Sequence, residues 1–142
     1  MVVNLANGFQ CKKCHILSIS RERHSSVANY ILGQERLSTV SSYPYLGVTI
    51  SSNLRWNKHV EAISAKATKT LNFVRRNIYR CPADVKALAY TSLIRPHLEF
   101  ASAAWDPYTV SNTNCLDKVQ RRAARFVKSD YHYTTFCVLP CE

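Results

Sequence analysis

Glycine, acidic residues and long apolar runs are all scarce in this chain of 142 residues. Its 3 glycines lie far apart, so neither the G-x-x-x-x-G-K loop nor the G-x-G-x-x-G loop that holds nucleotide phosphates can be built. No apolar run approaches the roughly 20 residues that a membrane-spanning helix needs, which predicts a soluble chain with no membrane partner. Residues 1–10 carry no basic charge ahead of a long apolar stretch, so we expect no secretory signal and an intracellular location, nuclear or cytoplasmic.

Acidic side chains number 9 against 19 lysines and arginines, which leaves a formal charge of +10. The sequence has no D-D or D-x-D pair that would hold two metal ions. Asp84, Asp117 and Asp130 stand at predicted helix starts or turns, where capping explains them. We therefore expect no catalytic residue, no metal site and no cofactor in this chain. A strongly basic protein attracts an acidic polymer, so nucleic acid is the leading partner.

Cysteine is the potential metal ligand that is present in number, as Cys11, Cys14, Cys81, Cys115, Cys137 and Cys141. Cys11, Cys14 and His15 have the C-x-x-C-H spacing of covalent haem attachment, but that attachment needs export and usually a second axial ligand. A zinc site that joined the first pair to Cys137 and Cys141 would span far more residues than a compact zinc ribbon. We expect reduced thiols that pack as small hydrophobes, and a zinc protein is the weaker rival hypothesis.

The first third of the chain alternates apolar and polar residues, which is the period of half-buried strands. Short apolar runs lie at residues 17–19, 30–32, 37–40 and 45–50. Turn residues, Gly33 and Gly47 among them, separate these runs, which predicts three or four short strands in a small antiparallel sheet. Pro44 suits the beginning of the last strand, where a missing amide hydrogen does little harm.

A strongly amphipathic helix is predicted from about Asn57, where the apolar period changes from two to 3.6 residues. Its apolar arc consists of Val60, Ile63, Ala67, Leu71, Val74 and Ile78. At about 100° per residue, the basic residues fall on the opposite side of the helix. They are Lys58, Lys66, Lys69, Arg76 and Arg80.

A second helix is predicted over residues 83–94, directly after Pro82. Its predicted buried side consists of Val85, Leu88, Ala89, Leu93 and Ile94. Pro96 lacks the amide donor and bends this helix, which we expect to continue as far as Trp105.

A third helix follows the turn at 106–107, with Ser111 or Asn112 as its cap. The residues predicted to face inward are Leu116, Val119, Ala123 and Phe126. The other face carries Lys118, Arg121, Arg122, Arg125 and Lys128. The predicted fold class is therefore α+β, a small antiparallel sheet followed by a bundle of three helices.

Both basic faces are nearly of one sign. A charged solvent face is ordinary for an amphipathic helix, so a purely structural role is the alternative to binding. Only Asp117, four residues before Arg121, supplies the acidic partner that a merely solvated face tends to carry. Neighbouring like charges repel, and a phosphate backbone would relieve that repulsion. The aromatic residues that would stack on bases are expected instead to be core or turn anchors: Tyr43, Tyr45, Trp56, Phe73, Tyr79, Tyr90, Phe100, Trp105 and Tyr108.

A family resemblance rests on six short sequence motifs and on the order in which they occur. They are Lys13–Leu17 (KCHIL), Tyr45–Ile50 (YLGVTI), Leu54–His59 (LRWNKH), Arg95–Ser102 (RPHLEFAS), Trp105–Tyr108 (WDPY) and Leu116–Phe126 (LDKVQRRAARF). From about Phe9 to Tyr131, the chain closely resembles the C-terminal part of the reverse transcriptase of non-LTR retrotransposons, the LINE-like, jockey-type elements.

This resemblance implies an RNA-directed DNA polymerase built from fingers, palm and thumb. In the family, the catalytic carboxylates lie on a palm hairpin with a Y-A-D-D-like motif, upstream of the phrase that matches Lys13–Leu17. That hairpin is missing here, so the chain resembles the end of the palm plus the thumb. The resemblance implies that Mg²⁺ belongs to the full-length enzyme, that this chain does not polymerise alone, and that the missing palm and fingers are potential partners.

The resemblance also implies roles for individual residues. Tyr45, Leu46 and Gly47 match the primer-grip hairpin, which holds the 3′ end of the primer. Lys13 matches a motif lysine beside the incoming nucleotide, where a cation neutralises or protonates the leaving pyrophosphate. The family's Asn-Pro ahead of that lysine is replaced by residues 10–11. The two basic helical faces match the thumb helices, which follow a primer-template duplex through phosphate and sugar contacts.

Three segments follow from this reading. Residues 1–56 are predicted as palm-end strands with a primer-grip-like hairpin, residues 57–130 as a helical thumb-like bundle, and residues 131–142 as a divergent tail. The predicted function is binding of an RNA–DNA hybrid or another nucleic-acid duplex by a polymerase fragment without catalytic carboxylates. The rival is a catalytically dead remnant that acts as a protein-interaction module or has no function.

Overall fold

The computed structural model describes residues 14–19 and 29–129, and these residues form an α+β protein with the strands first and the helices after them. The predicted class is thereby confirmed at this level. The chain divides into two compact units, Met1–Arg55 and Trp56–Glu142. The first unit contains all the described strands and the second contains all the described helices.

The first unit contains six short strands among its described residues. They are β1 (His15–Leu17), β2 (Ile31–Leu32), β3 (Glu35–Arg36), β4 (Ser38–Val40), β5 (Ser42–Tyr45) and β6 (Val48–Ser51). These strands pair as three two-stranded sheets, β1 with β4, β2 with β3, and β5 with β6. The sequence predicted one sheet of three or four strands. The apolar runs are divided into shorter strands by turns that the alternating pattern does not show.

Two of the three strand pairs are antiparallel, as predicted, and the third is parallel. His15 of β1 is opposite Ser38 of β4, and Leu17 is opposite Val40. The imidazole Nδ1 of His15 and Oγ of Ser38 are 2.8 Å apart, which adds a side-chain hydrogen bond to the ladder. Strands distant in sequence pair in either direction, and local alternation does not choose between them.

A two-residue turn joins β5 to β6. Tyr45 is opposite Val48, and the turn residues Leu46 and Gly47 both have positive φ, 48° and 85°. Positive φ at both positions is the pattern of a type I′ turn, which matches the twist of a hairpin. Pro44 lies inside β5, opposite Thr49, and not at the beginning of a strand. The pair next to the one that closes a two-residue turn is not hydrogen-bonded, so Pro44 costs this ladder no donor.

The described part of the second unit, residues 56–129, contains four α-helices and one π-helical turn. They are α1 (Asn57–Asn77), α2 (Ala83–Ala89), the π-turn (Tyr90–Ile94), α3 (Arg95–Glu99) and α4 (Val110–Lys128). The segments from α2 to α3 are continuous and form the bent second helix, so residues 56–129 have three helical members. Among the described residues, no helix has the combination of length and apolar character that crossing a membrane requires.

The π-turn directly precedes Pro96, the second residue of α3. Proline has no amide hydrogen, and in a regular helix its ring presses on the carbonyl four residues earlier, that of Ser92. The wider turn accommodates this, and the Ser92 hydroxyl donates a 2.7 Å hydrogen bond to the Leu88 carbonyl. The helix then ends at Glu99 and does not continue to Trp105 as predicted, because the chain turns sharply at Ala101, which has φ 54°.

The core of the second unit lies between α1, the bent second helix and α4. Its buried members are Ala67, Leu71, Val74, Tyr90, Ile94, Leu98, Val119, Ala123, Phe126 and Val127. The predicted apolar arc of α1 is confirmed at Val60, Ala67, Leu71 and Val74, whereas Ile63 and Ile78 are half-buried. Ser64, beside Ile63, is buried. In α4 the predicted inward residues are buried, apart from the half-buried Leu116. The cap of α4 is Thr109, whose hydroxyl accepts from the amide of Asn112, and not Ser111 or Asn112.

The predicted buried side of the second helix is wrong at three of its five residues, since Ile94 is buried as predicted and Ala89 is half-buried. Leu88 is 68% exposed, and Val85 and Leu93 are exposed as well. The buried residues of the bent helix are Lys86, Tyr90, Ile94 and Leu98. A lysine was counted as polar in the apolar pattern, yet a lysine stem packs as a hydrophobe when its ammonium finds partners. When Lys86 is counted as apolar, the helical period places the buried face at Lys86, Tyr90 and Ile94.

Candidate nucleic-acid interface

The basic residues of α1 lie on the side of the helix opposite its buried residues. Lys58, Lys66, Lys69 and Arg76 are all exposed, and Arg80, three residues beyond the helix end, is exposed too. The guanidinium Nε of Arg76 donates a 3.2 Å hydrogen bond to the carbonyl of Asn72. Steps of about 100° place the helical members of this set along one flank, so α1 presents a row of cations to solvent.

The basic residues of α4 form a second row. Lys118, Arg121, Arg122 and Lys128 are exposed, and Arg125 is half-buried. The carboxylate of Asp117 lies 3.6 Å from Nη2 of Arg121, one turn away on the same helix. A pair this exposed contributes little free energy. The row keeps a net positive charge, because α4 has five cations and one carboxylate.

Each of these two helices has five cations and one carboxylate. In α1 the carboxylate is Glu61, and in α4 it is Asp117. Arg75, the fifth cation of α1, was not among the predicted residues, because its helical position lies outside the row. Arg75, Arg76, Asn72 and Tyr79 line a shallow depression of about 760 Å³ at the end of α1.

The two rows belong to neighbouring helices, since α1 and α4 pack against each other. Asn57 at the start of α1 accepts a 3.0 Å hydrogen bond from the side-chain amide of Asn112 in α4. Lys69 of α1 and Lys118 and Arg122 of α4 line the same open groove between the helices. Packing thus brings cations from two predicted faces to one surface, which sequence periodicity alone does not reveal.

The predicted primer-grip residues lie at the tip of the β5–β6 hairpin. Tyr45 is exposed and Leu46 is 79% exposed, so both side chains are accessible. Leu46 adopts φ 48°, a left-handed conformation that strains a leucine and that proteins often keep at functional positions. Lys13 lies outside the described residues.

The aromatic residues divide between core and surface. Tyr90 and Trp105 are buried, as predicted, and the indole of Trp105 donates a 2.9 Å hydrogen bond to the carbonyl of Phe100. Phe73 is exposed beside the cations of α1, which contradicts the expectation that it is a core or turn anchor. Tyr79 is exposed too, but it lies in the turn after α1, and its ring centroid is 5.8 Å from Nζ of Lys86. Exposed rings next to arginines are what base stacking requires.

His59 is a buried titratable residue that the sequence did not single out. It is 1% exposed, and its ring lies 4.7 Å from that of Trp105 in an edge-to-face arrangement. Burial lowers the pKa of His59 below its ordinary value of 6.5, because desolvation disfavours the imidazolium. The histidine therefore belongs to the core of the second unit and not to its basic surface.

Cys14, Cys81 and Cys115 are not joined in disulfides, and all three are half-buried. Within residues 14–19 and 29–129, no three or more His, Cys, Asp or Glu side chains cluster closely enough to hold a metal ion. The remaining cysteines of the haem and zinc hypotheses, Cys11, Cys137 and Cys141, lie outside those ranges.

Comparison with protein-family models, with curated proteins and with solved structures gave no match to this chain.

Proposed function

We propose that this chain binds a nucleic-acid duplex, an RNA–DNA hybrid in particular, through the basic rows of α1 and α4, and that it does so without catalysing polymerisation. The observation that carries this proposal is the five-to-one excess of cations over carboxylates on each of two packed helices. A one-signed surface of this kind repels itself, and phosphates relieve the repulsion as counterions are released.

The second support is the hairpin tip at Leu46 and Gly47. An exposed leucine held at positive φ contributes no packing, so its stability cost is consistent with a binding role. Together, the hairpin and the basic helices match the order that the resemblance to a non-LTR reverse transcriptase implies, with the primer grip first and the thumb after it. We propose that this chain is a palm-end and thumb fragment of such an enzyme.

Binding without catalysis follows from the acidic residues. The sequence contains no paired carboxylates that would hold two Mg²⁺ ions. The duplex contacts proposed for the helices are to phosphates and sugars, which position a substrate and do not react with it.

Fluorescence anisotropy with a labelled RNA–DNA hybrid, measured across a series of salt concentrations, tests this function. The double variant Arg121→Glu/Arg125→Glu should weaken binding to all duplex sequences alike and flatten the salt dependence, because each lost phosphate contact lowers the slope by about 0.9. An unchanged affinity and slope would refute the assignment.

The matched control is Arg36→Glu/Arg55→Glu. It changes the net charge by the same amount at two exposed arginines outside both helices. If attraction came only from net charge, both double variants would lose affinity equally. Binding through the rows predicts a clearly larger loss for the α4 variant.

A further inference from the structure

The groove between α1 and α4 has an apolar floor and a basic rim. Ala65, Thr68 and Val119 contribute to the floor, and its volume is about 600 Å³. The rim includes three cations, Lys69, Lys118 and Arg122. Glu61 is the one carboxylate among the lining residues. The three cations also belong to the basic rows of α1 and α4, and the groove adds an apolar floor between them.

A buried hydroxyl in this groove lacks a partner. Ser64 lines the groove and is 6% exposed, and its Oγ makes no hydrogen bond to any described residue. Buried polar groups in folded proteins are nearly always hydrogen-bonded, and the exceptions call for a functional explanation. Because Oγ of Ser64 is itself buried, a ligand in the groove would reach it only if the side chain turned outward.

We propose that this groove binds an acidic amphipathic helix of a partner protein. The apolar row of such a helix would cover Ala65, Thr68 and Val119, and the flanking carboxylates would lie against the three cations of the rim. Helices commonly dock in this way, with apolar residues in a groove and complementary charges beside them. A nucleic-acid backbone has no apolar row to cover the floor, so it satisfies only the rim.

This inference goes beyond duplex binding and does not depend on it. The probe is a fluorescein-labelled synthetic helix about five turns long, with leucine at every third or fourth position and glutamate on both sides of the leucine row. One control has the same residues in scrambled order, and another has lysine in place of every glutamate. The acidic helix should bind at least about tenfold more tightly than either control. Equal binding of the acidic helix and its scrambled form would overturn the proposal.

A neutral variant separates this site from the proposed duplex site. Ala65 is exposed on the groove floor, so Ala65→Phe fills the floor without changing charge. It should weaken binding of the acidic helix by about tenfold or more, and it should change affinity for the RNA–DNA hybrid by less than about twofold. Unchanged binding of the acidic helix would overturn the proposal. Loss of RNA–DNA hybrid binding without loss of acidic-helix binding would also overturn it, because the groove floor would then contact nucleic acid.

A charge swap gives an independent readout if Ala65→Phe does not fold by circular dichroism. The double variant Lys118→Glu/Arg122→Glu reverses two of the three rim cations. This variant should bind the acidic helix about tenfold more weakly than the unchanged chain does, and it should bind the lysine-flanked helix about tenfold more tightly. Failure to exchange the preference would overturn the proposal.

Discussion

Lys86 donates a hydrogen bond of 2.9 Å from Nζ to Oγ of Ser129, the residue at which α4 ends in a left-handed conformation. The ammonium also lies 5.3 Å from the ring centroid of Phe126 and 5.8 Å from that of Tyr79. The C-terminus of a helix carries partial negative charge, which a nearby cation stabilises. A lysine that is 6% exposed therefore ties α2 to the end of α4.

Replacing Lys86 with methionine should lower the free energy of unfolding by about 1–2 kcal/mol. Methionine keeps the apolar stem but loses the hydrogen bond and the ring contacts of the ammonium. Urea denaturation followed by circular dichroism measures the change. Lys66→Met is the matched control, because Lys66 is exposed on α1 and should change stability by less than about 0.5 kcal/mol. Equal losses in the two variants would contradict the role of Lys86.

His59 makes stability depend on pH. Its pKa is about 6.5 in the unfolded chain and lower in the folded one, where burial disfavours the charged form. Between these two values the unfolded state binds the extra proton. The contribution of His59 is therefore fully present above pH 6.5 and is lost as the pH falls toward the folded pKa, by at most about 1.4 kcal/mol per pH unit.

Two measurements test this pH dependence. Urea denaturation at a series of pH values below 6.5 should show the fall in stability, and His59→Phe should reduce its steepness. An NMR titration of the His59 ring reads the folded pKa directly, even if the variant is unstable. A ring that titrates at or above 6.5 in the folded chain would contradict the prediction.

The sequence predicted the two long helices well because their pattern is local. The residues of α1 and α4 repeat at the helical period over 21 and 19 residues, so the buried arc and the basic face are both readable. The buried face of the second helix was predicted incorrectly because contacts with residues distant in the sequence determine it. Lys86 is buried by a partner 43 residues later in the chain, and no local period encodes such a contact.

The candidate site was predicted only in part for the same reason. The sequence placed cations on the faces of α1 and α4, but the groove shared by Lys69, Lys118 and Arg122 exists only once the helices pack. The parallel pairing of β1 with β4 joins residues 23 positions apart, as between His15 and Ser38, and is equally invisible to alternation. In α1 and α4 the sequence periodicity indicates which side of the helix is polar, and packing then determines which polar sides meet.

Replacing Leu46 should raise the stability of the β5–β6 hairpin and weaken binding of the RNA–DNA hybrid. Asparagine tolerates positive φ better than leucine, so Leu46→Asn should stabilise the β5–β6 hairpin by roughly 1 kcal/mol. Amide hydrogen exchange at Val48 and Ile50 measures this local stability. If Leu46 contacts the duplex, the same variant should bind the RNA–DNA hybrid several-fold more weakly.

Leu54→Asn is the matched control for Leu46, since Leu54 is also exposed and has φ 54°. It should relieve the same kind of strain and leave hybrid binding unchanged. Slower exchange at the hairpin combined with undiminished hybrid affinity in Leu46→Asn would remove the hairpin tip from the proposed interface. Equal losses of affinity in the two variants would indicate a general effect of removing exposed leucines.

The row on α1 should account for a measurable share of the salt dependence of duplex binding. Lys66 and Arg76 are exposed members of this row, and neither lines the groove between α1 and α4. In Lys66→Gln/Arg76→Gln the slope of log affinity against log salt should fall by up to about 1.8, because each cation that contacts a phosphate contributes about 0.9. Arg36→Gln/Arg55→Gln removes the same charge elsewhere and should leave the slope nearly unchanged. A full slope in the α1 variant would exclude Lys66 and Arg76 from phosphate binding, since only cations that release counterions contribute to it.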